Sequence, residues 1–408
     1  MQTKLLLIVC DGLGDRPVNG VTPLEIANKP NMDTIASEGI CGIMDTVRAG
    51  IRPGSDTSHL SLFGYDPFKY YKGRGAFEAS GTGLKLQKGD VAFRCNFATI
   101  KNGRIIDRRA GRIEDGLDEI ANDINTIKLK NIEIIFKRGA GHRGVLVFRG
   151  KGLSHNVSDV DPENENVPYN ICKPLDNSID ARKTAKLVNE FTKETIDILS
   201  KHPVNREREG KGKLPANIIL CRGAGIKVDM PSFEEKYGMS AACISATTLI
   251  KGVCRDVGMD IIDVKGITGH IDSNIANKAD AAIKALKRYD FVFLHIKGTD
   301  EASHDGDFNS KKSMIERIDK EVIGRILKHL KDIKDITIVL TADHSTPLSI
   351  KQHSADPVPI AILGDVRADD VKRFTERDCA KGGLNRICGI NLMDIIMDLS
   401  NRSKLFGA

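Results

Sequence analysis

Three short apolar runs, each followed within a few residues by an aspartate, constrain this chain most. Lys4–Cys10 (KLLLIVC) leads directly into Asp11. Asp290–Lys297 (DFVFLHIK) passes through Gly298 and Thr299 to Asp300, and Ile336–Leu340 (ITIVL) passes through Thr341 and Ala342 to Asp343. Short, β-branched, nearly continuous apolar runs are the signature of strands in a sheet covered on both faces. In open α/β sheets, ligands bind beyond the carboxyl ends of the strands, and all three aspartates fall there.

Helical patterns alternate with these strands. Thr22–Gly39 has Pro23 in its first turn and closes on a glycine, which predicts one helix. Lys311–Leu330 carries a helical apolar stripe, and Leu392–Leu399 predicts a closing helix. The middle of the chain differs. Strands are expected at Val91–Ile100, Ile132–Lys137, Gly144–Phe148 and Asn217–Cys221, with helices at Ile179–Leu199 and Ala276–Leu286. The charged stretch Asn205–Lys213 (NREREGKGK) predicts an exposed loop. Since the aspartate-tipped strands lie on both sides of this block, the expected fold is α/β. Residues 1–75 and 285–408 would form a mostly parallel sheet between helices, and 76–284 an inserted, smaller α+β domain. Gly139–Gly144 matches G-x-G-x-x-G, but a dinucleotide site needs a helix next and Val145–Phe148 is β-type, so a tight hairpin turn is expected.

Bulk properties exclude several classes. The 408 residues suit two or three domain-sized units, and 40% hydrophobic with 28% charged residues is ordinary for a globular protein. The net charge of +6 is dispersed, and no Lys/Arg run forms a nucleic-acid arm. The apolar run before Asp11 is too short to span a bilayer and lacks a signal-peptide cleavage region, so a cytoplasmic location is expected, with neither a membrane nor a nucleic-acid partner. The nine cysteines are scattered without a C-x-x-C pair, which fits buried small apolar residues rather than a zinc ribbon or disulfide framework.

The chemistry concentrates at the strand ends: Asp11, then Asp300 and His304 in DEASH, Asp343 and His344 in TADH, and His353 in QHSADPVP. Three carboxylates and three imidazoles form a mixed O/N set that suits two divalent ions with room for substrate oxygens. Two ions roughly 3.5–4 Å apart can stabilise the attacking and leaving oxygens of an in-line phosphoryl displacement. Taken singly, each aspartate also reads as a helix N-cap and each histidine as a hydrogen-bonded structural residue. A nucleophile is available in Arg52–His59 (RPGSDTSH). Ser55 falls at a helix start, where free backbone N–H groups favour phosphate, although Ser55 or Ser58 could equally just cap that helix.

Asp11 in VCDGLGD, Ser55 in PGSDTSH, DEASHDG at 300–306, TADH at 341–344 and HSADPVP at 353–359 together resemble the alkaline phosphatase superfamily. The details, with LEIANKPNMDTIASEG at 24–39 and LFGYDP at 62–67, are similar to its cofactor-independent phosphoglycerate mutases, in the branch common in archaea. The resemblance spans essentially the whole chain. It implies an alkaline-phosphatase-like fold and two metal ions, commonly manganese, with magnesium, cobalt or zinc as alternatives, and no 2,3-bisphosphoglycerate. Asp300, His304 and His353 would hold one ion; Asp11, Asp343, His344 and the Ser55 oxygen would surround the other. Ser55 would take the phosphoryl group of a phosphoglycerate and return it to the neighbouring hydroxyl. One departure stands out: Gly54 and Asp56 flank Ser55 where the bacterial branch has Asn and Glu. The family's inserted domain offers arginines to the substrate across a cleft. Candidates here are Arg94, Arg108, Arg109, Arg112, His142, Arg143 and Arg222, with Arg109, Arg112 and Arg143 preferred and Lys251 added.

A phosphatase or phosphodiesterase of the same superfamily would share the metals and nucleophile but release phosphate to water. A non-catalytic binding module is disfavoured by the presence of every ligand and of the nucleophile. A large insert able to enclose the glycerate favours the mutase, since retention requires excluding water.

Overall fold

The computed structural model describes residues 3–330, 336–405 and 407. In chain order the strands are β1 (Lys4–Cys10), β2 (Ile40–Asp45), β3 (Val91–Lys101), β4 (Arg104–Asp107), β5 (Glu133–Arg138), β6 (Arg143–Arg149) and β7 (Val167–Pro168). They continue with β8 (Ile218–Gly225), β9 (Ala241–Ile244), β10 (Asp260–Ile261), β11 (Phe291–Ile296), β12 (Ile336–Thr341), β13 (Val358–Leu363) and β14 (Asn385–Cys388). The chain divides into two compact units, Met1–Tyr70 with Met230–Ala408, and Tyr71–Asp229.

The first unit is built on an eight-stranded sheet ordered β10-β9-β11-β1-β12-β13-β2-β14. Only β13 runs against the other strands. The three runs singled out in the sequence are neighbours at its centre, with β1 paired in parallel to β11 on one side and β12 on the other. Leu6, Leu7, Ile8 and Val9 are fully buried, as are Val292, Phe293 and Leu294. A strand apolar on both faces needs helices on both faces, and each such side chain contributes about 1.5–3 kcal/mol on burial. Parallel pairing then brings all three aspartate-bearing ends to one edge of the sheet.

The second unit holds a six-stranded sheet in which β3 lies between β6 and β8, antiparallel to both. Its core is aromatic, with Phe93 against Phe148 and Phe148 against Phe191, ring centroids 5.5 and 5.9 Å apart. Ile179–Leu199 is a helix capped by Ser178. The glycine pattern at 139–144 is the β5–β6 hairpin turn. No described helix is long and apolar enough to cross a membrane, and eight of the nine cysteines are buried.

Four expectations need correction. The compact second unit ends at Asp229, not at 284: β9 pairs in parallel with β11, Ala241 opposite Phe291, so residues 230–284 extend the large sheet. The β9 run, AACI, is too short to be distinguished locally from a core segment of either unit. Thr22–Gly39 is two helices, Pro23–Ile26 and Pro30–Glu38, because Pro30 forces Lys29 out of helical geometry, to φ −139° and ψ 56°. The expected loop Asn205–Lys213 contains the helix Pro203–Gly210. There the buried Asn205 donates to the Leu199 and Ala216 carbonyls, at 2.8 and 2.9 Å. Such tertiary partners are invisible in a charged, glycine-containing string. Finally, the helix expected over Lys311–Leu330 is interrupted by a π-turn at Asp319–Ile323, where Asp319 accepts from the Met32 amide at 2.7 Å.

Candidate active site

The acid and imidazole side chains converge where β11, β1 and β12 end. Asp11 follows β1, and Asp343 and His344 follow β12. Asp300 and His304 lie one turn apart on the helix Gly298–Asp305, so both face the same way. His353 comes from the loop before β13, its Nδ1 2.9 Å from the Pro53 carbonyl oxygen.

Three donor groupings result among the described residues: two carry the expected ligands, and the third, His59, His295 and Asp343, shares Asp343 with one of them. In the first, His304 Nε2 is 3.4 Å and His353 Nε2 is 3.7 Å from the two Asp300 oxygens. In the second, His344 Nε2 is 3.4 Å from Asp11 Oδ1 and 3.2 Å from Asp343 Oδ2. Within each set the candidate ligand atoms lie within 4.8 Å of one another. Asp11 Oδ1 and Asp343 Oδ2 are buried without a hydrogen-bond partner among the described residues. A buried carboxylate oxygen left unpaired is costly, and two aimed at one spot fit a divalent cation between them. The donor chemistry, carboxylate with imidazole, suits manganese, zinc or cobalt.

Ser55 opens the helix Ser55–Leu62, with Gly54 as N-cap and the Thr57 hydroxyl accepting from the Gly54 amide at 3.0 Å. A glycine cap has no side chain to place on the first-turn amides; the Thr57 amide donates to Asp56 Oδ1 at 3.0 Å, and those of Ser55 and Asp56 stay available to an anion. Ser55 Oγ lies 3.2 Å from His344 Nε2, beside the second donor set. Ser58 points elsewhere, its hydroxyl 3.2 Å from that of Thr46.

Electrostatics follow burial and these neighbours. Burial opposes ionisation of Asp343, but His344 and the other imidazoles outweigh it and hold its pKa below the usual range. Burial likewise opposes protonation of His344, and Asp343 with Asp11 overcomes it, raising its pKa. The Asp300 contact raises His304. Burial, then the nearby His344, lowers His353.

Several residues in this site were not singled out in the sequence. His295 Nε2 is 2.9 Å from Asp11 Oδ2. The buried Lys278 ammonium donates to the His295 carbonyl at 2.8 Å. Lys297 pairs with both Asp11 and Asp300. Thr346 Oγ1 donates to Asp300 Oδ1 at 2.9 Å. His59 is buried, with Nδ1 2.5 Å from the Ser55 carbonyl oxygen and 3.8 Å from Asp343 Oδ2. His295 and Lys297 belong to the DFVFLHIK run; a polar residue repeated inside an otherwise apolar strand was the available signal.

The candidate cations of the second unit form a cluster of their own. Arg94 and Arg222 are cross-strand partners on β3 and β8, and Arg143 stands opposite Asn96 on β6. Arg74 and Arg94 reach the Glu78 carboxylate at 3.0 and 3.6 Å. Burial first, then the crowding of Arg74, Arg222 and Arg143, pushes the Arg94 pKa down. Burial and the neighbouring Arg143 and Arg109 bring His142 to about 4. Crowded guanidinium groups of this kind favour an incoming anion. Arg108 is committed to Asp161 through two hydrogen bonds, of 2.8 and 2.7 Å. Arg112 is exposed at φ +56° and shows no contact with the cluster among the described residues. Lys251 lies in the first unit, paired with Asp263 at 3.0 Å.

Comparison with known proteins agrees with this chemistry. Residues 36–205 match the family model described as 2,3-bisphosphoglycerate-independent phosphoglycerate mutase, and 134–355 that of type I phosphodiesterase / nucleotide pyrophosphatase. A 2,3-bisphosphoglycerate-independent phosphoglycerate mutase 1 of Archaeoglobus fulgidus is 52% identical, the match covering 99% of this chain and 100% of that one. A solved protein from Pyrococcus horikoshii is 43% identical with a TM-score of 0.88, both chains covered completely. A cofactor-independent phosphoglycerate mutase from Thermoplasma acidophilum is 41% identical with a TM-score of 0.70, covering 98% of this chain and 100% of that one. With its strand-end carboxylates, its histidines and a serine at a helix start, and with half of its residues shared with such relatives from end to end, the chain belongs to the family of 2,3-bisphosphoglycerate-independent phosphoglycerate mutases.

Proposed function

We propose that this protein interconverts 3-phosphoglycerate and 2-phosphoglycerate through a phosphoserine at Ser55. The observation that carries the reading is the pair of unpartnered oxygens, Asp11 Oδ1 and Asp343 Oδ2, gathered with His344 beside the Ser55 hydroxyl. Asp300, His304 and His353 would hold one divalent ion, and Asp11, Asp343, His344 and Ser55 the other, manganese being the favoured metal. When bound, the ions supply Lewis-acid charge stabilisation for phosphoryl transfer, worth several kcal/mol.

The chain's own groups do the rest. Ser55 Oγ attacks phosphorus, the bond from phosphorus to the glycerate oxygen breaks, and the Ser55 proton leaves through its neighbours to that departing oxygen. The Ser55 and Asp56 amides at the start of the Ser55–Leu62 helix would face the phosphoserine anion. The neighbouring glycerate hydroxyl then attacks the phosphoserine, returning the phosphoryl group and restoring the serine. A relay through Ser55 is needed because in-line attack between adjacent oxygens of one small molecule is geometrically unfavourable. The guanidinium cluster of the second unit, Arg94, Arg143 and Arg222 with Arg109 and His142, is assigned to the substrate's anionic groups.

Manganese-loaded protein given 3-phosphoglycerate should yield 2-phosphoglycerate with little free phosphate, and chelation should abolish turnover until metal is restored. Rapid quenching and peptide mass spectrometry should locate phosphate on the Ser55 peptide. Ser55→Ala should lose the label and nearly all activity. Free phosphate as the main product would make the protein a hydrolase, and a label on Ser58 or Thr57 would move the nucleophile.

A further inference from the structure

Lys297 occupies a position that neither metal set accounts for. It follows β11 directly and stands at the N-cap of the Gly298–Asp305 helix. Its ammonium contacts Asp11 Oδ2 at 3.1 Å and hydrogen-bonds to Asp300 Oδ2. These are the acids that head the two donor sets. On Asp11 it uses the oxygen that also faces His295, at 2.9 Å, leaving Oδ1 beside His344 without a hydrogen bond. On Asp300 the other oxygen is held by Thr346, at 2.9 Å. The contact with Asp11 therefore leaves the metal-facing oxygen free and can persist beside a bound ion; on Asp300 both oxygens already carry a hydrogen bond, and an ion there would share an oxygen with Lys297 or Thr346. Burial works against this ammonium, and Asp11 and Asp300 together more than offset it.

Two carboxylates facing one another repel, and so do two divalent ions. A fixed cation bonded to one oxygen of each carboxylate fixes the separation of the acids, and through them the separation of the ions they carry. Small errors in that separation matter, since misplacing a reacting group by about 1 Å can cost roughly 100-fold in rate.

We propose that Lys297 is a positioning residue: its ammonium bridges the two metal half-sites, Asp11 of one and Asp300 of the other, and sets the spacing of the two ions. The proposal rests on the two-ion reading above. The test uses manganese-loaded full-length protein, metal content per chain and the electron paramagnetic resonance spectrum, in which two close manganese ions give a spin-coupled signal. Wild-type protein should hold two ions per chain and show that signal; if it does not, the two-ion reading itself fails, whatever Lys297 does. Lys297→Met keeps the length, removes the charge and leaves all seven donors in place. It should still hold two ions, lose or shift the coupled signal, and drop kcat by about 100-fold with KM changed less than about threefold. Lys297→Arg should retain the coupled signal and part of the activity. Thermal melts of the metal-free proteins check folding, with Lys297→Gln as the alternative if the Met variant does not fold. An unchanged coupled spectrum in the uncharged variant would overturn the proposal. So would loss of the ions themselves, or equal defects in the Met and Arg variants.

Discussion

Gly12→Ala offers a sharp test of how tightly the site is packed, because the structure separates its two costs. Gly12 has φ +66°, a left-handed conformation that costs an alanine about 1–2 kcal/mol. A Cβ built there would lie 2.7 Å from Asp300 Cβ, Asp300 Oδ1 and Thr346 Oγ1, where ordinary contact begins at 3.4 Å. Asp300 and Thr346, both buried and bonded to each other, would have to retreat by about 0.7 Å. Overpacking of this kind costs about 1–3 kcal/mol. The expected destabilisation is therefore about 2–5 kcal/mol in all. Since the displaced residue is a candidate metal ligand, kcat should also fall by up to about 100-fold. Gly20 is the control, with φ +89° and nothing within 4 Å of where a Cβ would stand, so Gly20→Ala carries the backbone strain alone. Urea unfolding of the metal-free proteins and turnover with manganese read the two terms. If both alanine variants show equal stability loss and unimpaired turnover, the close approach of Gly12 to Asp300 does not matter and the reasoning is refuted.

The arginines should divide: Arg143→Ala should lower kcat/KM by about 10- to 100-fold, the worth of a lost charge-assisted contact, while Arg112→Ala, outside the cluster, should stay close to wild type. Equal losses in both would misplace the substrate-binding group. His59 makes stability depend on pH, because burial lowers its pKa from 6.5 to about 4. With the folded value below the unfolded one, the unfolded chain binds the extra proton between those limits. Stability is then full above about pH 6.5 and falls by up to about 3 kcal/mol as the pH drops toward 4. Denaturant titrations of metal-free His59→Gln at pH 7 and 4.5 should show a smaller difference than wild type; the same difference would exclude His59 as the source.

The sequence by itself determined the strands that end in Asp11, Asp300 and Asp343, because a doubly covered parallel strand must be apolar on both faces and therefore stands out as a continuous run. It also determined the chemistry of the site, since carboxylates, imidazoles and a serine before a helix are read one residue at a time. Only the tertiary structure decided which strands are neighbours, because hydrogen-bonded pairing joins residues hundreds of positions apart. That is why β9, four residues long, reads locally as part of the insert although it extends the large sheet beside β11. The pairing likewise brought Lys297 between Asp11 and Asp300, and His295 against Asp11, from within a run whose local pattern says only strand. Among the arginines, the sequence favoured Arg109, Arg112 and Arg143. The fold set Arg94 opposite Arg222 and Arg143 on the adjoining strand β6, bound Arg108 to Asp161 by two hydrogen bonds where Arg222 makes only a 3.4 Å ion pair, and left Arg112 without a contact to the cluster among the described residues. A charged side chain's role depends on what the fold sets opposite it, and that partner is not written near it in the chain.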